Sequence, residues 1–190
     1  MRKAGLPFLM LGVMAAACDP APPDRTATTE VQFSSANTPA GAASFVAPSS
    51  GEEEVPARDT RARGNAVFHL NDDGTELTYK LSVSNIENVV QSHIHVQAPG
   101  VNGPVVVFLF GPVAAGGGTV HGVLAEGAIT AADLIGPLEG MTLADLLAEI
   151  QSGNAYVNVH TDDGVDPPNT GPGDFPGGEV RGQIKGGHVH

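Results

Sequence analysis

Apolar and polar positions alternate along residues 65–70, placing Ala66, Phe68 and Leu70 on one side and His69 on the other. Alternation with period two predicts a half-buried strand. The next four residues, Asn71, Asp72, Asp73 and Gly74, form a turn signal, and Asp-Gly favours a tight hairpin. Beyond it Leu77, Tyr79, Leu81 and Val83 alternate with Thr78, Lys80, Ser82 and Ser84, which predicts the partner strand. Further strands are expected over 92–96, 105–110, 155–161 and 179–184. The run 105–110 is apolar on both faces and is expected in the middle of a sheet. The triple glycine at 116–118 reads as a loop.

A helix is predicted after Thr142. Asp145 stands three residues on, in the capping-box position, and Leu143, Leu146, Leu147 and Ile150 follow at i, i+3, i+4, i+7. Gly153 ends it. Thr130 and Asp133 repeat the same spacing and predict a shorter turn. Several antiparallel strands with a single connecting helix imply an all-β fold, an antiparallel Greek-key β-sandwich of immunoglobulin-like type or a Greek-key barrel. Residues 162–178, rich in Asp, Pro and Gly, make a long loop, and long loops in compact domains are often functional.

The N-terminal segment has a different pattern. Arg2 and Lys3 precede an apolar run over 4–17, too short to span a bilayer, and Ala15, Ala16 and Ala17 lead into Cys18. This is the layout of a signal peptide. Small residues before a cysteine resemble a lipobox, whose thiol is acylated and becomes the new N-terminus. Ala15 departs from that motif, since leucine is more usual there. An ordinary signal peptide cleaved after Ala17 is the alternative. The expected organisation is a signal at 1–17, a disordered linker at 18–42, a β domain at 43–187 and a His-containing tail at 188–190. The chain is then exported as a cell-envelope lipoprotein, periplasmic or at the cell surface, attached to a membrane through Cys18.

Charge and cysteine content narrow the chemistry. A net charge of −12 argues against nucleic acid as a partner, because phosphates need Lys and Arg. Cys18 is the only cysteine, so an internal disulfide, a zinc finger, an iron–sulfur cluster and thiol catalysis are all excluded. No Ser–His–Asp arrangement, paired carboxylates or phosphate-binding glycine loop stands out.

Histidine is the residue type that carries candidate chemistry. His93 and His95 flank Ile94 in a strand, so both imidazoles share one face. In 155–160, Ala155, Val157 and Val159 take the core face and Tyr156, Asn158 and His160 the other. Three imidazoles on two strands that can be neighbours suit copper, with zinc as the alternative. Asn158, Gln91 and Ser92 are the side chains placed to support the rings. His121 is a further candidate ligand from a separate segment, and His188 with His190 can form a metal-scavenging tail. His69 reads as an exposed strand residue. Asp162, Asp163, Asp166 and Asp174 are of the type calcium takes, but they lack EF-hand spacing and read as a solvated loop.

Two resemblances add to this reading. Residues 50–185 resemble the CHRD domain, named for chordin and found in many bacterial secreted proteins. The matching stretches include Glu54-Val55-Pro56, Ser92-His93-Ile94-His95, Asn102-Gly103-Pro104-Val105-Val106, the run 154–161 and the run 176–184. The resemblance implies an extracellular β domain, here with an acidic insert between Thr161 and Pro176. The order of motifs is also similar to copper/zinc superoxide dismutase: a His-x-His strand, a late third copper histidine, a long loop, then Gly178 and a substrate-guiding Arg181. No histidine follows His95 where that family has its metal-bridging one, its zinc ligands are not recognisable and its disulfide cysteines are missing. What the similarity implies is a three-histidine copper site without zinc, with Arg181 as a catalytic residue only in a dismutase-like enzyme.

Three functions fit the sequence. One is an envelope lipoprotein that binds copper through a surface site of His93, His95 and His160, for copper handling or redox chemistry. Another is a non-catalytic interaction module with a protein partner and no metal. The third is a dismutase-like enzyme, which the acidic net charge disfavours because superoxide is an anion.

Overall fold

Residues 43–165 and 171–187 are described by the structure, a computed structural model. Cys18, the signal and linker segments, Asp166, His188 and His190 lie outside the described residues. Nine strands follow in chain order: β1 (Ser44–Ser50), β2 (Arg63–Leu70), β3 (Leu77–Glu87), β4 (Val89–Val96), β5 (Val105–Phe110), β6 (Thr119–Ile129), β7 (Ala155–Thr161), β8 (Val180–Gln183) and β9 (Lys185–Gly187). Among the described residues there is one α-helix, α1 (Leu143–Gln151), besides short 3-10 turns. The all-β, antiparallel expectation with a single helix holds.

The strands form one sheet in the order β5-β4-β7-β8-β1-β2-β3-β6, with β9 added beside β1. Every pairing is antiparallel. The two ends of this order approach one another, and the Tyr79 hydroxyl on β3 donates to the Leu109 carbonyl on β5 at 2.7 Å. The sheet is therefore curled into a nearly closed barrel. Its interior is filled by Phe68, Leu81, Ile86, Ile94, Val157 and Val159, all fully buried. Closure leaves few ladder groups open to another chain.

The predicted hairpin forms, with β2 and β3 in register from Arg63↔Ser84 to Leu70↔Leu77. Helix α1 begins where expected, since the Asp145 carboxylate accepts from the Thr142 N–H at 2.8 Å and the Thr142 hydroxyl at 2.7 Å. Its four large apolar residues, Leu143, Leu146, Leu147 and Ile150, are its buried ones. The short turn after Thr130 forms with its own capping box to Asp133.

The central position expected for 105–110 is corrected, because β5 lies at one end of the strand order. Its two apolar faces have different uses. Val106, Val107 and Leu109 enter the core, while Phe108 stays 46% exposed and packs against an imidazole on β4. Strands β1, β6 and β9 were not singled out by pattern.

Candidate metal centre

Strand β7 pairs antiparallel with β4, placing Tyr156 opposite His95, Asn158 opposite His93 and His160 opposite Gln91. His160 and His93 are thus diagonal neighbours on one face of the sheet, within reach of long side chains. β4 carries two irregularities against β5, at Ser92/His93 and Ile94/His95. Bulges of this kind re-aim side chains. The ladder thereby brings His93, His95 and His160 together, with one ligating atom from each within 4.8 Å of the others.

The face is not solvent-exposed, which corrects the surface position expected for these histidines. His93 is 3% and His160 8% exposed, and the whole of β7 is buried. Alternation placed the rings opposite the barrel core correctly, but loops cover them. The segment after β4 folds back so closely that a Cβ on Gly103 would lie 2.2 Å from the Val96 carbonyl oxygen. There the Gly103 N–H donates to the Tyr156 hydroxyl at 2.9 Å, and the Gly103 carbonyl accepts from His95 Nδ1 at 2.9 Å. On the other side the Pro176 carbonyl accepts from His160 Nδ1 at 2.8 Å.

These two carbonyls fix the tautomers. A carbonyl only accepts, so His95 and His160 carry their protons on Nδ1 and leave Nε2 as a lone pair. His160 Nε2 stands 3.2 Å from His93 Nδ1. The Nε2 atoms of His93 and His95 are buried without any hydrogen-bond partner. Buried polar atoms are seldom left unsatisfied. The separation matters too: nitrogens about 2.0–2.1 Å from one ion at a tetrahedral angle stand roughly 3.3 Å apart.

The electrostatics favour neutral rings. Burial pushes His93 down to about 3, and charge on His160 and then His95 would push the same way. Burial also pushes His95 down to about 4, against the opposing hydrogen bond to Gly103. His160 is lowered by burial and partly restored by the bond to Pro176. A metal binds the neutral imidazole, so at neutral pH no proton has to be displaced from a charged ring.

Aromatic groups enclose the cluster. Phe108 meets His93 edge-on at 4.5 Å, and Tyr156 stacks on His95 at 4.9 Å with 8° between the planes. Arg181 lies over the far face of Tyr156, its guanidinium carbon 3.5 Å from the ring centroid. It is 1% exposed and donates to the Asn102 side chain, the Val101 carbonyl and the Gln183 side chain. Three of its N–H groups are thus engaged within the fold, and it is buried rather than open to solvent as the dismutase similarity implied. Nor does it pair with Glu179, whose carboxylate accepts from Thr60, Thr161 and the Gly173 N–H.

Other expected participants sit elsewhere. Asn158 does not hold a ring; its side-chain nitrogen donates to Glu54 at 2.9 Å. The Ser92 hydroxyl donates to the Asn158 carbonyl. His121 lies on β6, where its Nδ1 accepts from the Asn85 N–H, outside the three-histidine group. His69 is exposed, with the Ser44 hydroxyl 2.8 Å from Nδ1. The ring-orienting carbonyls of Gly103 and Pro176 were missed because backbone atoms leave no signal of residue type. Tyr156 was visible as sharing the face of His160.

The class of protein so defined is a β domain, a curled antiparallel barrel that gathers three imidazoles able to hold a metal ion under its loops. The family model for the CHRD domain matches residues 45–184, and the chain belongs to that family. No curated protein matches the chain.

Proposed function

We propose that this CHRD domain binds one copper ion through His93 Nδ1, His95 Nε2 and His160 Nε2, as an envelope-anchored lipoprotein engaged in copper handling or redox chemistry. The observation that carries the reading is the buried, unpartnered Nε2 of His95 beside His93 Nδ1 and His160 Nε2, themselves 3.2 Å apart, with the His95 and His160 rings already locked by backbone carbonyls. Carbonyl partners of this kind typically orient metal-ligating histidines. Three nitrogens suit copper, which heads the affinity order of divalent ions; zinc would need a water as fourth ligand. A Greek-key reading is supported by β3 pairing with β6 while β6 approaches β5, the partner of β4, across the barrel opening.

The test uses the full chain carrying His188→Ala and His190→Ala, so that the tail does not compete. Titration with Cu(II) is expected to give one site. His93→Ala and His160→Ala should each weaken it by more than the ~10–100-fold that loss of a supporting partner causes. Unchanged affinity in both variants would overturn the reading and leave the metal-free interaction module as the better one.

A further inference from the structure

The loop that supplies the Pro176 carbonyl also carries three carboxylates that the histidine group does not use. Asp162, Asp163 and Asp174 each place one oxygen within 4.8 Å of the others. Asp174 is unlike an ordinary loop aspartate. It is 8% exposed, and its Oδ1 is buried with no hydrogen-bond partner.

The fold holds this carboxylate inward. The Asp174 N–H donates to the Gly171 carbonyl at 3.0 Å, and the Phe175 N–H donates to the Thr161 hydroxyl at 3.0 Å. Asn88, at φ 53, ties the neighbouring segments together. Its side-chain nitrogen donates to the Gly173 carbonyl, and its own carbonyl accepts from the Asp162 N–H at 2.9 Å. One oxygen of Asp162 and one of Asp163 accept from the N–H groups of Gly164 and Val165. Each keeps a second oxygen for another partner.

Among the described residues no salt bridge reaches the cluster; the Arg58 guanidinium beside the loop lies over the Phe175 ring and donates to the Gly178 carbonyl. The ion pair among the described residues is Lys80 with Glu126, across the β3–β6 ladder. The sequence 162–178 contains no Lys or Arg. Carboxylates this close repel each other when ionised, and burying one without a partner adds to the penalty. A hard divalent cation relieves both.

We infer that Asp162, Asp163 and Asp174 form a calcium site, with water completing the coordination. Calcium is the better match than magnesium, since it accepts six to eight oxygens in flexible geometry while magnesium demands a near-ideal octahedron. The sequence lacks EF-hand spacing because the ligands come from two ends of a loop brought together by Asn88 and Thr161. A cation here pins the loop whose Pro176 carbonyl orients His160. The inference rests on none of the copper reading, and its test contains no copper.

The experiment uses the full chain stripped with EDTA, titrated with calcium chloride by calorimetry and followed by thermal unfolding. One site and a calcium-dependent rise in Tm are expected, with magnesium giving a smaller rise. Asp163→Asn, at an exposed position, and Asp174→Asn should each weaken calcium binding about tenfold or more by removing a charged ligand. If Asp174→Asn fails to fold, Asp163→Asn and Asp162→Asn decide the matter. Absence of binding heat in the unsubstituted chain, or the same affinity in the variants, overturns the site. Asp174 is then simply a buried acid.

Discussion

At Glu54 burial and charge oppose each other. The side chain is 5% exposed and receives the Asn158 amide. Burial pushes its carboxyl up to about 7, although Arg181, Arg58, the Val55 backbone and Asn158 all pull it down. The folded chain therefore keeps a proton between pH 4.5 and about 7 that the unfolded chain releases. Stability from this group falls as pH rises through that window and is lowest above it. Glu54→Gln, a neutral mimic, should be more stable than the unsubstituted chain at pH 8, by a few kcal/mol at most on ~1.36 kcal/mol per pKa unit. The advantage should fade by pH 5. Urea unfolding at the two pH values checks this, and an equal difference at both would refute it. Glu54 was legible as part of a family-like stretch, yet its burial was not, because the residues that cover it lie more than 100 positions away in sequence.

Elements were legible in proportion to how cleanly one face is buried. Strands β2, β3 and β7 and helix α1 present apolar residues at regular spacing, and each formed where the pattern put it. Strand β6 gave no such signal, being an end strand that is mostly exposed and interrupted by Gly122 and Gly127. Strand β1 turns Phe45, Ala47 and Ser49 inward, but two of these three are small and Pro48 stands between them. The helix provides a direct test of periodicity. Leu146→Ala, at a fully buried position, should destabilise the domain by about 2–5 kcal/mol. Ala144→Ser, on the exposed side, should change stability by less than about 0.5 kcal/mol. Chemical denaturation of both variants measures the contrast. Copper affinity should be unaffected by Ala144→Ser, since α1 contributes no group to the three-histidine cluster.

At the scale of the whole molecule the proposals concern attachment and access. The proposal of a lipid anchor at Cys18 rests on the sequence alone, and among the described residues no helix is long and apolar enough to cross a membrane. Intact-mass analysis of membrane fractions should find a mature chain that begins at an acylated Cys18. A chain starting at Asp19, or one retaining Met1, would sink the anchor. The convergence of His93, His95 and His160 was readable because strand alternation is local and strand pairing is regular. Their enclosure was not, since it depends on two loops from distant parts of the chain. Those loops have a kinetic meaning. His95 leans on the carbonyl of one and His160 on the carbonyl of the other. With Phe108 packed against His93, the path of the copper ion proposed above would run past that ring and these two loops in both directions. On that proposal, residence of the ion would be timed by the parting of this cover as well as by the strength of the nitrogen bonds.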